Sequence, residues 1–322
     1  MTIPLVSIIV VSYNGLKFLD ELFKSITNQF KDITYELIVV DNASSDDSAD
    51  YIEKNYPWIK LVRSTLNLGF TGGNNLGARH ASGEFLLLLN NDTKLNQPLE
   101  PLINAFIDST LGVIAPRLVY GDGKLQLNVG FEHNPLRIIL SWLGLSKITG
   151  LPNFFQRMET NQNFYDSSHL NVDWVSGACF LTRRDLWENL AGFDEDIFMY
   201  CEDVDYCKRV RELGCRVAYS RDVTVVHYEG SGKKWIGEAA LLRTFRSYLI
   251  YVQKHYGTLP RVLMVLPLSG VMAIRSLIYG FQALLYGPSE RGKIALEKLV
   301  AYARVALFVL FAWNIEEQKG RV

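Results

Sequence analysis

The chain has 322 residues, 48% hydrophobic and 21% charged, with 33 Lys and Arg against 34 Asp and Glu and a net charge of −1. Those values allow one large domain or two ordinary ones around a sizeable core, and they exclude global disorder. They also exclude a nucleic-acid binder that works through a general basic surface. The four cysteines, Cys179, Cys201, Cys207 and Cys215, show no C-x-x-C spacing, so neither a zinc knuckle nor a redox dithiol is indicated. Reduced, partly buried thiols are expected instead.

Residues 1–11 are apolar but lack a basic n-region and a small-residue cleavage site. They predict a first strand rather than a signal peptide, and with it chemistry in the cytoplasm. Short apolar runs at 6–11, 36–40, 59–62 and 85–89 alternate with amphipathic segments at 16–28, 46–55, 72–80 and 98–108. Pro98 suits the first turn of the last of these helices. Near-continuous apolar strands indicate a sheet covered on both faces. Strand–helix–strand repetition indicates a parallel α/β sheet.

Gly121-Asp122-Gly123 reads as a tight turn, and residues 131–171, with weak periodicity, as a long loop or lid. Regular patterning returns at 172–182, in a helix at 202–213, in strands near 216–219 and 223–226, and in an amphipathic helix over 236–256. From residue 259 the composition turns apolar. The stretch 262–286 is interrupted by Pro267 and Arg275, and 294–313 carries Glu297, Lys298 and Arg304. No internal repeat appears.

Ligands of open parallel sheets bind just beyond the carboxyl ends of the strands. Ser12, Tyr13 and Asn14 stand there after the first strand, Asp41 and Asn42 after the second, and Asn90, Asn91 and Asp92 after residues 85–89. Each alone reads as a turn former or helix cap; three groups at one edge point to a site. The first strand is not followed by G-x-G-x-x-G, and no Gly-Lys-Ser/Thr closes a phosphate loop. The glycine-rich stretch 67–77 leads into a helix and reads either as a phosphate cradle or as a plain turn.

Taken together, Val-Ser-Ile-Ile-Val-Val-Ser-Tyr-Asn (6–14), Val-Val-Asp-Asn-Ala-Ser-Ser-Asp (39–46), the 67–77 stretch and Leu-Leu-Asn-Asn-Asp-Thr (88–93) resemble glycosyltransferase family 2. The likeness continues through Trp-Val-Ser-Gly-Ala-Cys-Phe-Leu (174–181), Gly-Phe-Asp-Glu (192–195) and Phe-Met-Tyr-Cys-Glu-Asp-Val-Asp (198–205), and ends near His227. Its flavour is that of the bacterial rhamnosyltransferase-like branch, which acts on cell-surface polysaccharides. The resemblance implies the GT-A fold, an α/β architecture with a mostly parallel central sheet. Residues 1–230 are then the catalytic domain, with 1–115 holding the nucleotide sugar and 116–230 the acceptor and catalytic half. Residues 231–258 form a connecting helix, and 259–322 an apolar helical region.

The implied activity is inverting transfer of a sugar from a nucleotide diphosphate donor to an acceptor hydroxyl of a glycan or lipid-linked glycan. L-rhamnose from dTDP-rhamnose is the first choice. The alternative is a catalytically inactive sugar-nucleotide-binding or scaffolding protein of the same fold. Such a transfer needs charge neutralised on the departing diphosphate, a base for the acceptor hydroxyl, and in-line positioning.

Hard oxygen ligands suit Mg²⁺ or Mn²⁺. Asp92 corresponds to the last residue of the family's Asp-x-Asp signature, although this chain reads Asn90-Asn91-Asp92 there. His227 resembles a family metal ligand; the alternative is a structural histidine at a strand end. The resemblance makes Asp203 the base, with Glu202 orienting Asp203 or the acceptor. The plain reading of both is a helix start, where acids offset the dipole. Asp205 is expected to do only that and to pair with Arg209 four residues on. Asp41 resembles the residue that bonds the donor's pyrimidine. Tyr13 packs near that base or fills a buried turn. Ser12, Asn14, Gly69, Asn74, Asn90 and Asn91 belong to the donor side, and Trp174 borders the acceptor or is simply core.

Residues 262–286 are long enough to span a bilayer. Arg275 near the centre costs about 2.5–3.5 kcal/mol on an insertion scale. Lys254 and Arg261 precede the stretch and Arg291 and Lys293 follow it, so no orientation is favoured. The expectation is a peripheral protein on the inner face of the plasma membrane, with helices of 259–322 lying in the interface. A re-entrant hairpin and a soluble helical subdomain are the alternatives.

Overall fold

The computed structural model describes residues 4–144, 152–228 and 237–311. The expected boundary at 230–231, part of the expected loop at 131–171 and the end of the apolar stretch 294–313 lie outside the described residues.

The chain opens with β1 (Val6–Ser12), α1 (Leu16–Gln29), β2 (Tyr35–Asn42), α2 (Ser48–Asn55), β3 (Lys60–Ser64), α3 (Gly69–Arg79) and β4 (Phe85–Leu89). It continues through β5 (Thr93–Leu95), α4 (Glu100–Asn104), β6 (Leu111–Val119), β7 (Leu125–Gln126), β8 (Val129–Gly130) and α5 (Pro135–Trp142). Then come β9 (His169–Leu170), β10 (Trp174–Val175), β11 (Cys179–Arg183), α6 (Arg184–Asn189), α7 (Glu202–Glu212) and β12 (Arg216–His227). Three long helices follow: α8 (Gly237–Tyr256), α9 (Thr258–Tyr286) and α10 (Glu290–Phe311). Contacts divide the described residues into two compact units. The first is built on 4–132, 158–198 and 202–228, the second on 133–144, 152–157, 199–201 and 237–311.

The first unit holds a sheet of order β3-β2-β1-β4-β11-β6-β12-β5. From β3 to β4 every pairing is parallel, β6 and β12 are parallel, and β11 runs against both its neighbours. Val6, Ile8, Ile9, Val10 and all five residues of β4 are buried, as expected of strands covered on both faces. On one side lies α1, whose buried Leu19, Leu22, Phe23 and Ile26 repeat at helical spacing. Burying each such side chain contributes about 1.5–3 kcal/mol. On the other side lies α3. A Cβ on Gly73 would stand 2.7 Å from Val11, and one on Gly77 2.5 Å from Ile9. Glycine costs a helix about 1 kcal/mol against alanine, and here it lets α3 press onto the sheet.

Several expectations need correction. Pro101, not Pro98, sits in the first turn of the fourth helix, which starts at Glu100. The strands expected near 216–219 and 223–226 form one strand, Arg216–His227, with a register shift between Ser220 and Thr224. The region 131–171 is not all loop, since Asn134 caps α5 by accepting from the Arg137 N–H. The strand β6 was not anticipated.

In the second unit α9 and α10 form an antiparallel hairpin through Gly287, whose φ is +53°. Ser269 donates to the Ala306 carbonyl and Ser276 to the Leu299 carbonyl, each at 2.9 Å, two turns apart on both helices. Arg275 does not face away from the protein. It donates to the Trp142 carbonyl of α5 at 2.7 Å.

Candidate active site

In-register parallel pairing puts the carboxyl ends of β1, β2 and β4 at one edge, with Ser12 directly opposite Asp41. Three loops meet there. The Asn91 side chain donates to Ser12 Oγ at 3.4 Å. A Cβ on Gly15 would fall 2.1 Å from that same Asn91 amide, so a larger residue there would displace the Asn91 side chain. Asn14, with φ +52°, accepts from the Ser45 N–H at 2.7 Å and the Asp46 N–H at 3.3 Å, bracing the loop after β2. Tyr13 is half exposed, so it does not fill a buried turn. Asp41 is buried, and its Oδ1 has no hydrogen-bond partner among the described residues. A buried acceptor of that kind is rare in folded proteins, and it can take an N–H from a ligand.

The glycine-rich stretch is organised by groups within the protein. Asn42 donates to the Asn67 side chain at 3.1 Å and the Gly69 carbonyl at 2.9 Å, and accepts from the Leu68 N–H at 2.8 Å. Gly69 has φ +72°, and a Cβ there would lie 2.2 Å from the Phe198 carbonyl oxygen. That carbonyl accepts the Phe70 N–H at 3.1 Å, so the first turn of α3 faces Phe198. Asn74 is buried and donates to Phe70 of its own helix at 2.8 Å. Asn75 donates to the Phe193 carbonyl at 2.9 Å and accepts the Phe193 N–H at 3.0 Å, tying α3 to the 192–195 motif.

The second cluster joins β4, β5, β7 and β12. His227 pairs with Thr93 across β12 and β5 and is buried. Its Nδ1 is 3.0 Å from Gln126 Oε1, a pure acceptor, so Nδ1 carries the proton. Its Nε2 lies 3.1 Å from the Asn90 amide nitrogen and 3.2 Å from Asp92 Oδ1. An imidazole whose far nitrogen is held by a second group, beside a carboxylate, is a common arrangement for a cation ligand. Among the described residues no third His, Cys, Asp or Glu joins the pair. An imidazole nitrogen and a carboxylate oxygen this close are a donor pair that would suit Mg²⁺ or Mn²⁺. Asn90 occupies the first acidic position of the signature as the residue that holds His227.

The third cluster begins at α7. Asp203 accepts the Val204 N–H on Oδ1 at 2.8 Å and the Gly177 N–H on Oδ2 at 3.1 Å. The next residue, Ala178, accepts the Asn90 N–H at 3.0 Å. The Asp203 carboxylate is thereby anchored one residue from the peptide that holds Asn90, two residues before Asp92. Burial pushes Asp203 up to about 6, against the lowering effect of its N–H donors. Burial, then the Asp203 charge, holds Glu202 well above the ordinary carboxylate range, and Glu202 Oε2 has no hydrogen-bond partner among the described residues. Asp205 pairs with Arg209 Nε at 2.8 Å, as expected, and Arg209 also donates to the Leu190 and Gly192 carbonyls. Trp174 is buried in the first unit and donates to the Phe131 carbonyl at 3.0 Å.

These contacts are arranged on a fold shared with known enzymes. Residues 7–190 match the model of glycosyl transferase family 2. The chain belongs to that family. Relatives include the low-salt glycan biosynthesis hexosyltransferase Agl10 of Haloferax volcanii, 26% identical over 226 residues, which are 69% of this chain and 66% of Agl10. An N-acetylglucosaminyl-diphospho-decaprenol L-rhamnosyltransferase of Mycobacterium tuberculosis is 24% identical over 258 residues, 74% of this chain and 81% of that one. The chain spans 18% and 28% of two longer curated relatives. Among solved structures, a mannosyltransferase of Pyrobaculum calidifontis in complex with GDP-Man and Mn²⁺ superposes with a TM-score of 0.54 at 18% identity, over 96% of this chain and 88% of that one. The likeness shows that this family 2 chain has the expected GT-A fold.

Asn42 was placed at the sheet edge from the sequence, whereas Gln126, Asn75 and Gly177 were not singled out as parts of the site. Gln126 has no local signal, since it lies in a two-residue strand. Gly177 carried one, its place in the 174–181 motif.

Proposed function

We propose that the protein is a metal-dependent inverting glycosyltransferase in which Asp203 is the general base and Asp92 and His227 hold the divalent ion. The observation that carries this reading is the run of contacts from Asp203 through Gly177 and Ala178 to Asn90. That run supports the reading because it ties the carboxylate of Asp203, pushed up to about 6 by burial, to the chain two residues before Asp92. Asp41 accepts the N–H of the donor base, with Ser12, Tyr13 and Asn91 around it. A bound divalent ion neutralises charge that develops on the leaving diphosphate. Asp203 takes the acceptor proton as the hydroxyl attacks the anomeric carbon, which inverts its configuration. Glu202, raised well above the ordinary carboxylate range by burial and then by the Asp203 charge, adjoins Asp203 in the chain.

The donor is dTDP-rhamnose and the acceptor a lipid-linked glycan. The mycobacterial relative, named for L-rhamnose transfer to a diphospho-decaprenol glycan, supports both choices. The second unit faces a membrane through α9. Its exposed residues, from Leu259 to Tyr286, include no charge and repeat at helical spacing as Leu263, Leu266, Ile274, Leu277, Phe281 and Leu284. Arg275 is turned onto α5 and Arg261 is buried, so neither charge lies on that stripe. A helix with one bare apolar face and the other tied to protein suits the interface rather than a span.

The test is a donor screen that follows release of dTDP, UDP or GDP, with Mn²⁺ and with EDTA. Metal-dependent release from dTDP-rhamnose alone is expected. Release that EDTA leaves unchanged would refute the cation role of Asp92 and His227.

A further inference from the structure

The second unit is basic although the chain is nearly neutral. Its described residues include eleven Lys and Arg against three Asp and Glu, and the segment 133–157 contains no acid. Within it Trp142 is flanked by two guanidinium groups, Arg157 at 5.8 Å and Arg275 at 5.6 Å from the indole centre. Arg157 also lies 5.5 Å from the Tyr248 ring on α8. Arg275 donates to the Trp142 carbonyl and also interacts with Tyr302. Among the described residues neither guanidinium meets a carboxylate. Trp142 Nε1, which is buried, has no hydrogen-bond partner among them either.

Each of these features is unfavourable in isolation. A buried N–H without an acceptor forfeits the hydrogen bond it had in water. A partly buried cation without a counter-charge pays desolvation that ring faces offset only in part. Burial accordingly pulls Arg157 below the ordinary arginine range. Three donors that share one indole ring, two of them planar forks suited to phosphate oxygens, have matching demands.

We propose that Trp142 Nε1, Arg157 and Arg275 form a binding site for the phosphate group of an anionic lipid. Phosphate is the shared chemistry, and α9 selects the lipid source. The same helix carries Arg275 and the uncharged stripe Leu263, Leu266, Ile274, Leu277, Phe281 and Leu284, which suits acyl chains. The inference rests on the reading that the second unit faces a membrane, and it adds a specific headgroup contact. Arg275, which looks from sequence like an obstacle to membrane association, becomes part of the recognition.

The experiment is vesicle sedimentation of the full chain, comparing phosphatidylcholine vesicles with vesicles that also contain phosphatidylglycerol. Wild type should prefer the anionic vesicles. Trp142→Phe, which keeps an aromatic face but loses the N–H and part of the indole, and Arg157→Gln should each lose roughly fivefold of that preference. Arg157→Lys should keep most of it, and binding to phosphatidylcholine alone should stay unchanged in all three. Thermal melts of each variant separate a lost site from a lost fold. Variants that melt like wild type and keep the full anionic preference would overturn the site. A loss of binding to both vesicle types in the wild type would refute the membrane reading itself. Stabilisation of wild type, but not of Trp142→Phe, by millimolar inorganic phosphate without any vesicle preference would reassign the site to a soluble phosphate and overturn the lipid proposal.

Discussion

The Gly177 N–H donates to the Asp203 carboxylate at 3.1 Å, and a Cβ on Gly177 would stand 3.1 Å from Phe70 and 3.8 Å from the Asp203 Cβ. The carboxylate is thus fixed by a backbone group whose neighbour is bonded to the loop of Asp92. Two hydrogen bonds limit its freedom while burial raises its basicity. A group with those properties is suited to accept a proton near pH 6 and above.

The first prediction concerns pH. Asp203 is raised to about 6, so its ionised form dominates only above that value. The pH profile of kcat/KM should be flat above it and fall roughly tenfold per unit below it. A profile that holds level down to the ordinary carboxylate range would show that another group is the base.

Glu202 makes the second. Its folded pKa is raised, so its contribution to stability is full below the unfolded value near 4.5 and is lost as pH rises through the folded value. Glu202→Gln removes that loss. The variant should melt above wild type at neutral and alkaline pH, and the gap should close in acid. Thermal melts across pH check it; a wild type that gains stability with rising pH relative to the variant would contradict it.

Gln126 supports the third. Gln126→Leu takes the acceptor from His227 Nδ1 without touching Asp92. The Mn²⁺ concentration needed for half activity should rise about 10–100-fold, with little change at saturating metal. Unchanged metal dependence would mean that His227 is not a ligand.

Gly69 and Gly214 give the fourth, by contrast. Both have positive φ, +72° and +80°, but a Cβ on Gly214 meets nothing within 4 Å while one on Gly69 meets the Phe198 carbonyl at 2.2 Å. Gly214→Ala should cost about 1–2 kcal/mol for the left-handed conformation. Gly69→Ala should cost clearly more and lower activity as well, because Phe198 precedes the Glu202-Asp203 segment. Denaturant titration of both variants measures the difference.

The strands β1, β2 and β4 were legible because each holds an unbroken, buried apolar run, whereas the edge strand β3 showed only the short run that ends at Val62. β6 was hidden by Gly112, Pro116 and Arg117. Pro116 is tolerated because the pairing with β11 is limited to Val113 and Ile114, and on the other side it faces Ser220, where β12 begins its register shift. The same irregularity made β12 read as two strands. In the site, the pairing of Asp205 with Arg209 follows from helical spacing alone. The partners of His227 do not, since Gln126 lies 101 residues away. Asn90 looked like a weakened signature; its contact with His227 gives it a different task. Arg275 was judged against a bilayer, and only the packing of α5 revealed that it faces Trp142.

Single-turnover measurement of donor consumption by Asp203→Asn, with Mn²⁺ saturating and acceptor present, tests the central claim most directly. Asparagine keeps the size but cannot take a proton, and it can accept only one of the two N–H bonds. The account predicts a rate about 10²–10⁴-fold below wild type with donor and metal affinity retained. A rate within tenfold of wild type would contradict it.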